Sequence, residues 1–275
     1  MFKSAEIVKD KKGKQYHIGL TGKDISDKII LVGDPKRAEL ISTFFREIKV
    51  RKENREFVTY TGLYKNSLLT VISTGMGADN TEIAVIELCG IKFPLTVIRC
   101  GTCGGLQDDI KIGDLIISQA SVRIENTTDF FVEPGYPAVS SYETALALIA
   151  SVKENKKKYH FGITATASGF YGAQCRTVPG FPLRDPDLIN RLMKQGVKNF
   201  EMETSSLFTL ATLRGFRAGS VCVVVAERRK NKFINPNRLL NAELSAIKIV
   251  LGAFEILEVM DKQKSGDDFW APDFK

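Results

Sequence analysis

Short apolar runs alternate with longer amphipathic segments along most of the chain. The apolar, β-branched runs predict strands at residues 28–32, 48–51, 56–60, 68–73, 95–98, 115–122, 161–167 and 221–226. Apolar positions at helical spacing predict helices at residues 35–45, 80–89, 142–152, 186–194, 205–214 and 239–260. In the last helix the predicted inward stripe comprises Leu240, Leu244, Ile247, Leu251, Phe254, Ile256 and Leu257.

The order of these elements indicates the fold class. Strands alternate with helices, except where three strands follow one another and Lys65-Asn66 makes a hairpin turn. This order is typical of an α/β protein with a mixed central β-sheet flanked by helices. No linker-like change in composition divides the 275 residues, which predicts a single domain over 1–275. Residues 1–15 are charged and aperiodic, which predicts a flexible arm, and 261–275 form a polar tail, either disordered or docked on a neighbour.

Composition narrows the class of protein. The chain is 44% hydrophobic, but no apolar run approaches the roughly 18–20 residues that a membrane span needs, and no cleavable leader is visible. We therefore expect a cytoplasmic protein with no membrane partner. The net charge of +7 is compatible with an anionic ligand. The densest basic run, 153–158, lacks interleaved aromatic residues, so we interpret it as a solvated loop and expect no nucleic-acid partner.

The five cysteines include a Cys-x-x-Cys pair, Cys100 and Cys103. A redox role would need a helix to begin after the first cysteine, and a zinc site would need a second pair of ligands. We expect Cys100 to end a strand instead, and the chain has only two histidines, His17 and His160. This pattern favours free thiols and no metal site.

Polar groups follow several predicted strands, where open α/β sheets bind ligands. Arg99 ends one strand and is followed by four glycines within seven residues, which predicts a sharp turn and a close approach of the backbone to a ligand. After another strand, Gly33 precedes Asp34, a good helix N-cap, and Arg37. Free amides, the positive end of a helix dipole and guanidinium groups suit an oxyanion such as phosphate.

A carboxylate completes this set. Glu203 lies just before the helix at 205–214, and the two oxygens of a carboxylate match the two donors of a sugar diol. Together with Arg37, Arg99, Thr102 and Arg228, this residue indicates an enzyme that binds phosphate beside a ribose.

Four spaced motifs, in order, resemble those of the trimeric and hexameric nucleoside phosphorylases. They are Gly33-Asp34-Pro35-x-Arg37, Asn54-Arg55-Glu56, Arg99-x-Gly101-Thr102-Cys103-Gly104 and Glu201-Met202-Glu203, within matching segments from about 17 to 257. In addition, Phe170-Tyr171-x-x-Gln174-x-Arg176 is similar to the pyrimidine-reading loop of the uridine phosphorylases in that family. The resemblance implies a nucleoside phosphorylase-like fold and reversible phosphorolysis of uridine, and possible use of deoxyuridine or thymidine stays open.

The resemblance also implies a role for each matching residue. Phosphate, the co-substrate, would be bound by Gly33, Arg37, Arg99, Thr102 and, from the adjacent subunit, Arg55. Ribose would be held by Met202, Glu203 and the neighbour's His17, and the base by Cys103, Gly104, Phe170, Gln174 and Arg176. Catalytic roles would fall to Arg99, Glu203 and Arg228, with no metal or organic cofactor. Shared sites require a homo-oligomer, and a dimer and a hexamer are both compatible.

Some positions depart from the family pattern. Gly172-Ala173 replaces the usual Pro-Gly of the base loop, and Cys103 replaces a common hydroxyl residue. Glu56 resembles a ligand of a monovalent cation between subunits, but Asn80 replaces a small hydroxyl residue of that site.

Two other functions stay open at this point. Purine phosphorylases of the family carry an acidic residue after the last strand, and Glu227 keeps that alternative open. A non-catalytic nucleoside-binding protein is the other alternative, although the intact arginine set and Glu203 weigh against it. The same arginines also argue against the water-using nucleosidases of this fold.

Overall fold

The computed structural model describes residues 4–264 and 266–273. Its strands are β1 (Lys28–Val32), β2 (Glu47–Asn54), β3 (Phe57–Tyr64), β4 (Ser67–Ser73), β5 (Thr96–Gly105), β6 (Leu115–Ile124), β7 (Ala138–Val139), β8 (Tyr159–Ala167), β9 (Asn199–Glu201), β10 (Arg217–Glu227) and β11 (Lys232–Phe233). Its α-helices are α1 (Pro35–Ser42), α2 (Ala78–Cys89), α3 (Tyr142–Glu154), α4 (Leu188–Lys194), α5 (Thr204–Arg214) and α6 (Pro236–Gln263). The predicted α/β class with a mixed sheet is confirmed.

All of these strands belong to one mixed sheet. Five of them pair in a closed ring, β5–β9–β8–β6–β10–β5. From β5 the sheet continues through β1, which is parallel to both β5 and β4, into the antiparallel pairs β4–β3 and β3–β2. Because β1, β4, β5 and β10 run parallel, their carboxyl ends meet at one edge, where α/β proteins bind ligands.

Strand β5 corrects one prediction about the glycines after Arg99. These glycines do not turn the chain, because β5 continues to Gly105 and pairs with β10 along this stretch. A Cβ atom at Gly101 would lie 2.6 Å from Nη2 of Arg99, and one at Gly105 would lie 2.6 Å from Ile110. The glycines are therefore needed for close packing within the sheet, and Cys100 lies inside the strand rather than at its end.

Helices cover both faces of the sheet. Ile30 and Ile98 pack in one core with α1, α3 and α6, whereas Ile29 and Val97 pack in another with α2 and α5. The alternation follows from the strand geometry, in which successive side chains point to opposite faces. The inward stripe predicted for α6 is wrong at its first position, because Leu240 is 54% exposed.

Parts of both terminal segments make contacts within the chain. Within the predicted flexible arm, Lys9 and Gln15 pair across a turn, and Gln15 is buried. At the other end α6 continues to Gln263, and the backbone N–H of Trp270 donates to Glu143 of α3 at 2.9 Å. The tail therefore docks on its own chain. The remaining parts of both predictions, at residues 1–3, 265, 274 and 275, lie outside the described residues.

Among the described helices, none combines the length and apolar character that crossing a membrane requires.

Candidate functional site

A cavity of about 480 Å³ opens at the carboxyl ends of β1, β4, β5 and β10. It brings together most of the residues that the sequence predicted for the site: Gly33, Arg37, Arg99, Thr102, Cys103, Gly104, Phe170, Gln174, Arg176, Met202 and Glu203. Asp34, Pro35, Gly75, Met76, Phe200, Val225, Ala226 and Phe233 complete its wall. Residues from distant parts of the chain therefore form one continuous surface.

One end of the cavity is formed by the start of α1. The side chain of Asp34 caps this helix by accepting from the N–H of Lys36 at 2.9 Å, and Pro35 occupies the first helical position. Arg37 lies in the first turn and is 8% exposed. Its Nε and Nη2 both donate to Oε1 of Glu243, at 3.1 and 2.5 Å. Glu243, on α6, was not among the residues predicted from the sequence.

Arg99 lies beside this end of the cavity and is held by two carboxylates. Its Nε donates to Glu201 at 3.0 Å, and its Nη2 is 2.5 Å from Oε2 of Glu203. Burial by itself would lower the pKa of Arg99, but the two carboxylates outweigh burial and hold that pKa above its ordinary value. Arg99 is therefore a permanent cation with a fixed orientation.

Glu201 fixes the geometry around Glu203, a role that the sequence did not reveal. It accepts the backbone N–H groups of Glu203 and Thr204, each at 2.9 Å, at the start of α5. The other oxygen of Glu203, Oε1, accepts the N–H of Gly77 at 2.8 Å. A carboxylate three residues before a helix start was a signal available in the sequence, but its contact with Arg99 depends on the fold.

The ion pairs around Arg37 and Arg99 set the charge of this end. Two guanidinium groups face three carboxylates, those of Glu201, Glu203 and Glu243. One chain alone therefore supplies no excess of guanidinium groups here to balance a phosphate dianion. Burial raises the pKa of Glu203 against the opposing effect of Arg99.

Another part of the cavity wall carries an amide, Gln174, and a guanidinium, Arg176. Gln174 closes a short 3₁₀ helix, Gly172–Gln174, and its Oε1 accepts from Nη1 of Arg176 at 2.7 Å. The guanidinium of Arg176 lies over the ring of Phe170, 3.6 Å from the ring centroid. The departure at Gly172-Ala173 therefore still produces a compact turn.

Arg228 lies behind this wall rather than on it. Its Nη2 donates to the backbone oxygen of Gln174 at 2.7 Å, and its Nη1 has no hydrogen-bond partner among the described residues. Burial, together with the positive charge of Arg228, lowers the pKa of Arg176 to about 10. In the described part of the chain neither guanidinium has a carboxylate within ion-pair distance, so this end of the cavity is positive.

His17 and Arg55 do not line the cavity of their own chain. They lie together on another surface, where Arg55 contacts the ring of Tyr16 and the side chain of Asn54 donates to the backbone oxygen of His17. Glu87 accepts from Nδ1 of His17 at 2.7 Å and also from its backbone N–H. The two residues predicted to serve a neighbouring subunit are therefore grouped and oriented outside their own site.

Glu227, the residue that kept the purine alternative open, also lies off the cavity wall. It pairs with Lys230 at 3.2 Å and accepts the backbone N–H of Ile112 at 3.3 Å. Burial would raise the pKa of Glu227, but the Ile112 N–H and Lys230 hold that pKa below its ordinary value. An ionised carboxylate outside the cavity is not placed to protonate a base.

The cysteines are all unpaired thiols. Cys100 and Cys103 are buried, and burial raises the pKa of Cys100 to about 12. Among the described residues there is no group of three histidine, cysteine or acidic side chains that could hold a metal ion.

The sequence of this chain is similar to those of several known proteins. The family model described as Phosphorylase superfamily matches residues 27–249. A uridine phosphorylase of Thermococcus kodakarensis is 40% identical over 98% of this chain and 97% of its own length. A uridine phosphorylase of Escherichia coli is 33% identical over 88% of this chain and 97% of its own. A guanosine phosphorylase of Halorubrum lacusprofundi is 31% identical over 77% of this chain and 83% of its own.

A solved structure is also similar. It is a nucleoside phosphorylase of Trypanosoma brucei described as showing uridine phosphorylase activity, with a TM-score of 0.83 and 28% identity over 90% of this chain and 98% of that one. Residues 27–249, which the family model matches, include the residues that line the cavity. From the cavity, the sequence match and the shared fold, we conclude that the chain belongs to the phosphorylase superfamily, within its nucleoside phosphorylases.

Proposed function

We propose that this protein catalyses the reversible phosphorolysis of uridine to uracil and ribose 1-phosphate, a pentosyl transfer. The observation that carries the proposal is that one cavity is lined by three kinds of group: the guanidinium groups of Arg37 and Arg99, the carboxylate of Glu203, and the base-loop pair Gln174 and Arg176. These groups match phosphate, ribose and base. The relatives of 33–40% identity named uridine phosphorylase support the choice of base.

The phosphate end would hold the nucleophile. Gly33 and Asp34, at the start of α1, line the cavity together with Arg37, Arg99 and Thr102. A phosphate bound there lies below the ribose and attacks its anomeric carbon, so no covalent intermediate on the enzyme is needed. Positive charge that develops on the ribose is stabilised by the bound phosphate and by Glu203.

Glu203 would also hold the sugar, with Met202 packed beneath it. In the structure its oxygens accept the N–H groups of Gly77 and Met202 and pair with Nη2 of Arg99. A carboxylate has about four lone-pair sites, so a ribose hydroxyl can donate to Glu203 while these three contacts persist.

The base end would stabilise the leaving group. Departing uracil carries negative charge on its oxygens and nitrogen, and the uncompensated guanidinium of Arg176 lies there beside Gln174. Cys103, Gly104 and Phe170 line the same part of the cavity and would pack against the base. Arg228 would act through Gln174, which it holds at the backbone oxygen, rather than by touching uracil.

The charges support a homo-oligomer with shared sites. Since Arg37 and Arg99 already pair with carboxylates, a further cation would favour binding of a phosphate dianion. Arg55 of a second subunit would supply it, and the adjacent His17 would reach the ribose 5′-hydroxyl. In His17, Nδ1 is occupied by Glu87, which leaves Nε2 for that contact.

Two further features belong to this proposal. Glu56 lies against Gly75, close to the amide of Asn80, and would be one oxygen ligand of a monovalent cation between subunits. The five unpaired thiols suit the reducing cytoplasm, where we place the enzyme.

The test is a panel of uridine, deoxyuridine, thymidine, inosine and guanosine, each assayed with and without phosphate. We expect phosphate-dependent release of uracil from uridine, and a loss of about 10²-fold in Gln174→Ala, because one well-placed donor contributes about 3 kcal/mol in the transition state. Uracil release at the same rate without phosphate would contradict phosphorolysis. Faster turnover of inosine or guanosine than of uridine would favour the purine alternative suggested by the guanosine phosphorylase relative.

A further inference from the structure

The guanidinium of Arg37, at the start of α1, is held by a carboxylate of the last helix. Oε1 of Glu243 accepts from both Nε and Nη2 of Arg37, at 3.1 and 2.5 Å. Nη1 makes only a long contact, 3.4 Å, with the backbone oxygen of Cys100. One edge of the guanidinium is thereby tied to α6, and donors of its remaining edge are left for a ligand.

Glu243 itself does not reach that ligand. It is absent from the cavity wall, whereas Arg37 lines it. Its side chain is 15% exposed and that of Arg37 is 9% exposed, so the pair is largely screened from water. A charge-assisted pair in such surroundings has a defined geometry, unlike a solvated surface pair.

The position of Glu243 on α6 is fixed by the core on either side of it. Ala242 and Ala246 are buried, and Ile247, one turn further on, is fully buried in the same core as Ala38 and Ile41 of α1. The packing of α6 therefore fixes the position of the Glu243 carboxylate relative to Arg37. Because the ion pair holds the arginine side chain in one conformation, little conformational entropy is lost when phosphate binds.

We propose that Glu243 is a positioning residue for phosphate, which acts by holding the guanidinium of Arg37 in the orientation that binds the anion. The inference rests on the proposed phosphorolysis. Because its negative charge opposes phosphate, Glu243 cannot help by electrostatics, and any benefit must come from orientation. An electrostatic effect of Glu243 and an orienting effect therefore predict opposite changes in KM for phosphate when the carboxylate is removed, which makes the role testable.

The experiment measures KM for phosphate and for uridine, together with kcat, in Glu243→Ala, Arg37→Ala and the double variant. We expect Glu243→Ala to raise KM for phosphate about tenfold, equivalent to about 1.4 kcal/mol, and to leave KM for uridine unchanged. In the Arg37→Ala background the same change should have no further effect, because a residue that acts through Arg37 is fully coupled to it.

Glu255→Ala is the matched control. Glu255 also lies on α6 and pairs with a cation, because Nζ of Lys65 is 2.8 Å from its carboxylate, and neither residue lines the cavity. Its KM values should equal those of the wild type. Should Glu243→Ala fail to fold, Glu243→Gln keeps the shape and an acceptor oxygen, and a rise of about threefold in KM for phosphate is expected.

Several results would overturn the inference. A lower KM for phosphate in either Glu243 variant would mean that the carboxylate merely competes with the anion. An unchanged KM for phosphate, or equal changes for both substrates, would mean a purely structural role. A wild type that releases no uracil would instead refute the proposed function, and the two failures are therefore distinguishable.

Discussion

Arg55 provides the sharpest test of a site shared between subunits. It is exposed, and its contact within its own chain is with Tyr16, so replacing it should leave the fold intact. Loss of one charge-assisted hydrogen bond to phosphate costs about 1.5–3 kcal/mol, or roughly a 10- to 100-fold lower kcat/KM. Arg176→Ala should lower kcat/KM by a similar factor through loss of its contact with the base. Neither substitution leaves a buried carboxylate without its ion-pair partner.

Mixing the two variants makes the prediction quantitative. Each site uses Arg176 of its own subunit and Arg55 of the neighbour. In a random equal mixture a site has a one-in-two chance of each intact residue, so roughly a quarter of all sites are wild type. This fraction holds for a dimer and for a hexamer built from three dimers. The assay is uracil release after the two variants are refolded together or co-expressed with separate tags.

The control mixes Arg55→Ala with His17→Ala. Both residues are donated by the same subunit to its neighbour, so every site in a mixed dimer keeps one defect and activity should not recover. If the mixture of Arg55→Ala and Arg176→Ala stays at the mean of its two components, Arg55 does not serve the neighbouring site and the reasoning is refuted.

Three further predictions follow from single contacts. Glu203→Gln keeps an oxygen for the N–H of Gly77 but loses the charge, and we expect kcat/KM for uridine to fall about 10²-fold, by about 3 kcal/mol; activity within threefold of the wild type would contradict this. Glu227→Gln should leave uridine kinetics within about twofold, because Glu227 lies off the cavity wall, and a collapse of activity would show that it acts on the base. For Glu143, burial raises the pKa but is outweighed by the Trp270 N–H, Arg217 and Lys264, which hold it below 4.5. Docking of the tail on Glu143 is therefore stabilised above pH 4.5 and lost as the pH falls through the lowered pKa. Fluorescence of Trp270, the only tryptophan, should shift to the red there, and a transition equally present in Glu143→Gln would refute the assignment.

Local signals in the sequence were sufficient for the longer strands, the α-helices and most of the cavity wall, but not for the short strands β7, β9 and β11. Asp34 and Pro35 predicted the start of α1, and that start places Arg37 in the cavity. The glycines after Arg99 indicated a close approach, although the structure uses them inside β5. The base loop was recognised by its own short motif, which the fold then brings to the cavity.

The partners of those residues could not be predicted in the same way. Glu243 lies 206 residues from Arg37, and no periodicity links the two. One signal was available, since Glu243 precedes the buried Ile247 by four residues and so shares the inward face of α6, where a lone carboxylate needs a cation. Which cation that would be depended on how α6 packs against α1.

The sequence by itself determined the longer strands, the start of α1 and the identity of the groups at the strand ends, because capping and alternation depend on residues only a few positions apart. Only the tertiary structure decided which charges meet: that Arg99 lies between Glu201 and Glu203, that Arg228 stands behind Gln174, and that His17 and Arg55 face away from their own cavity. Ion pairs and hydrogen bonds act over a few ångströms in space, and packing of the helices on the sheet sets those distances.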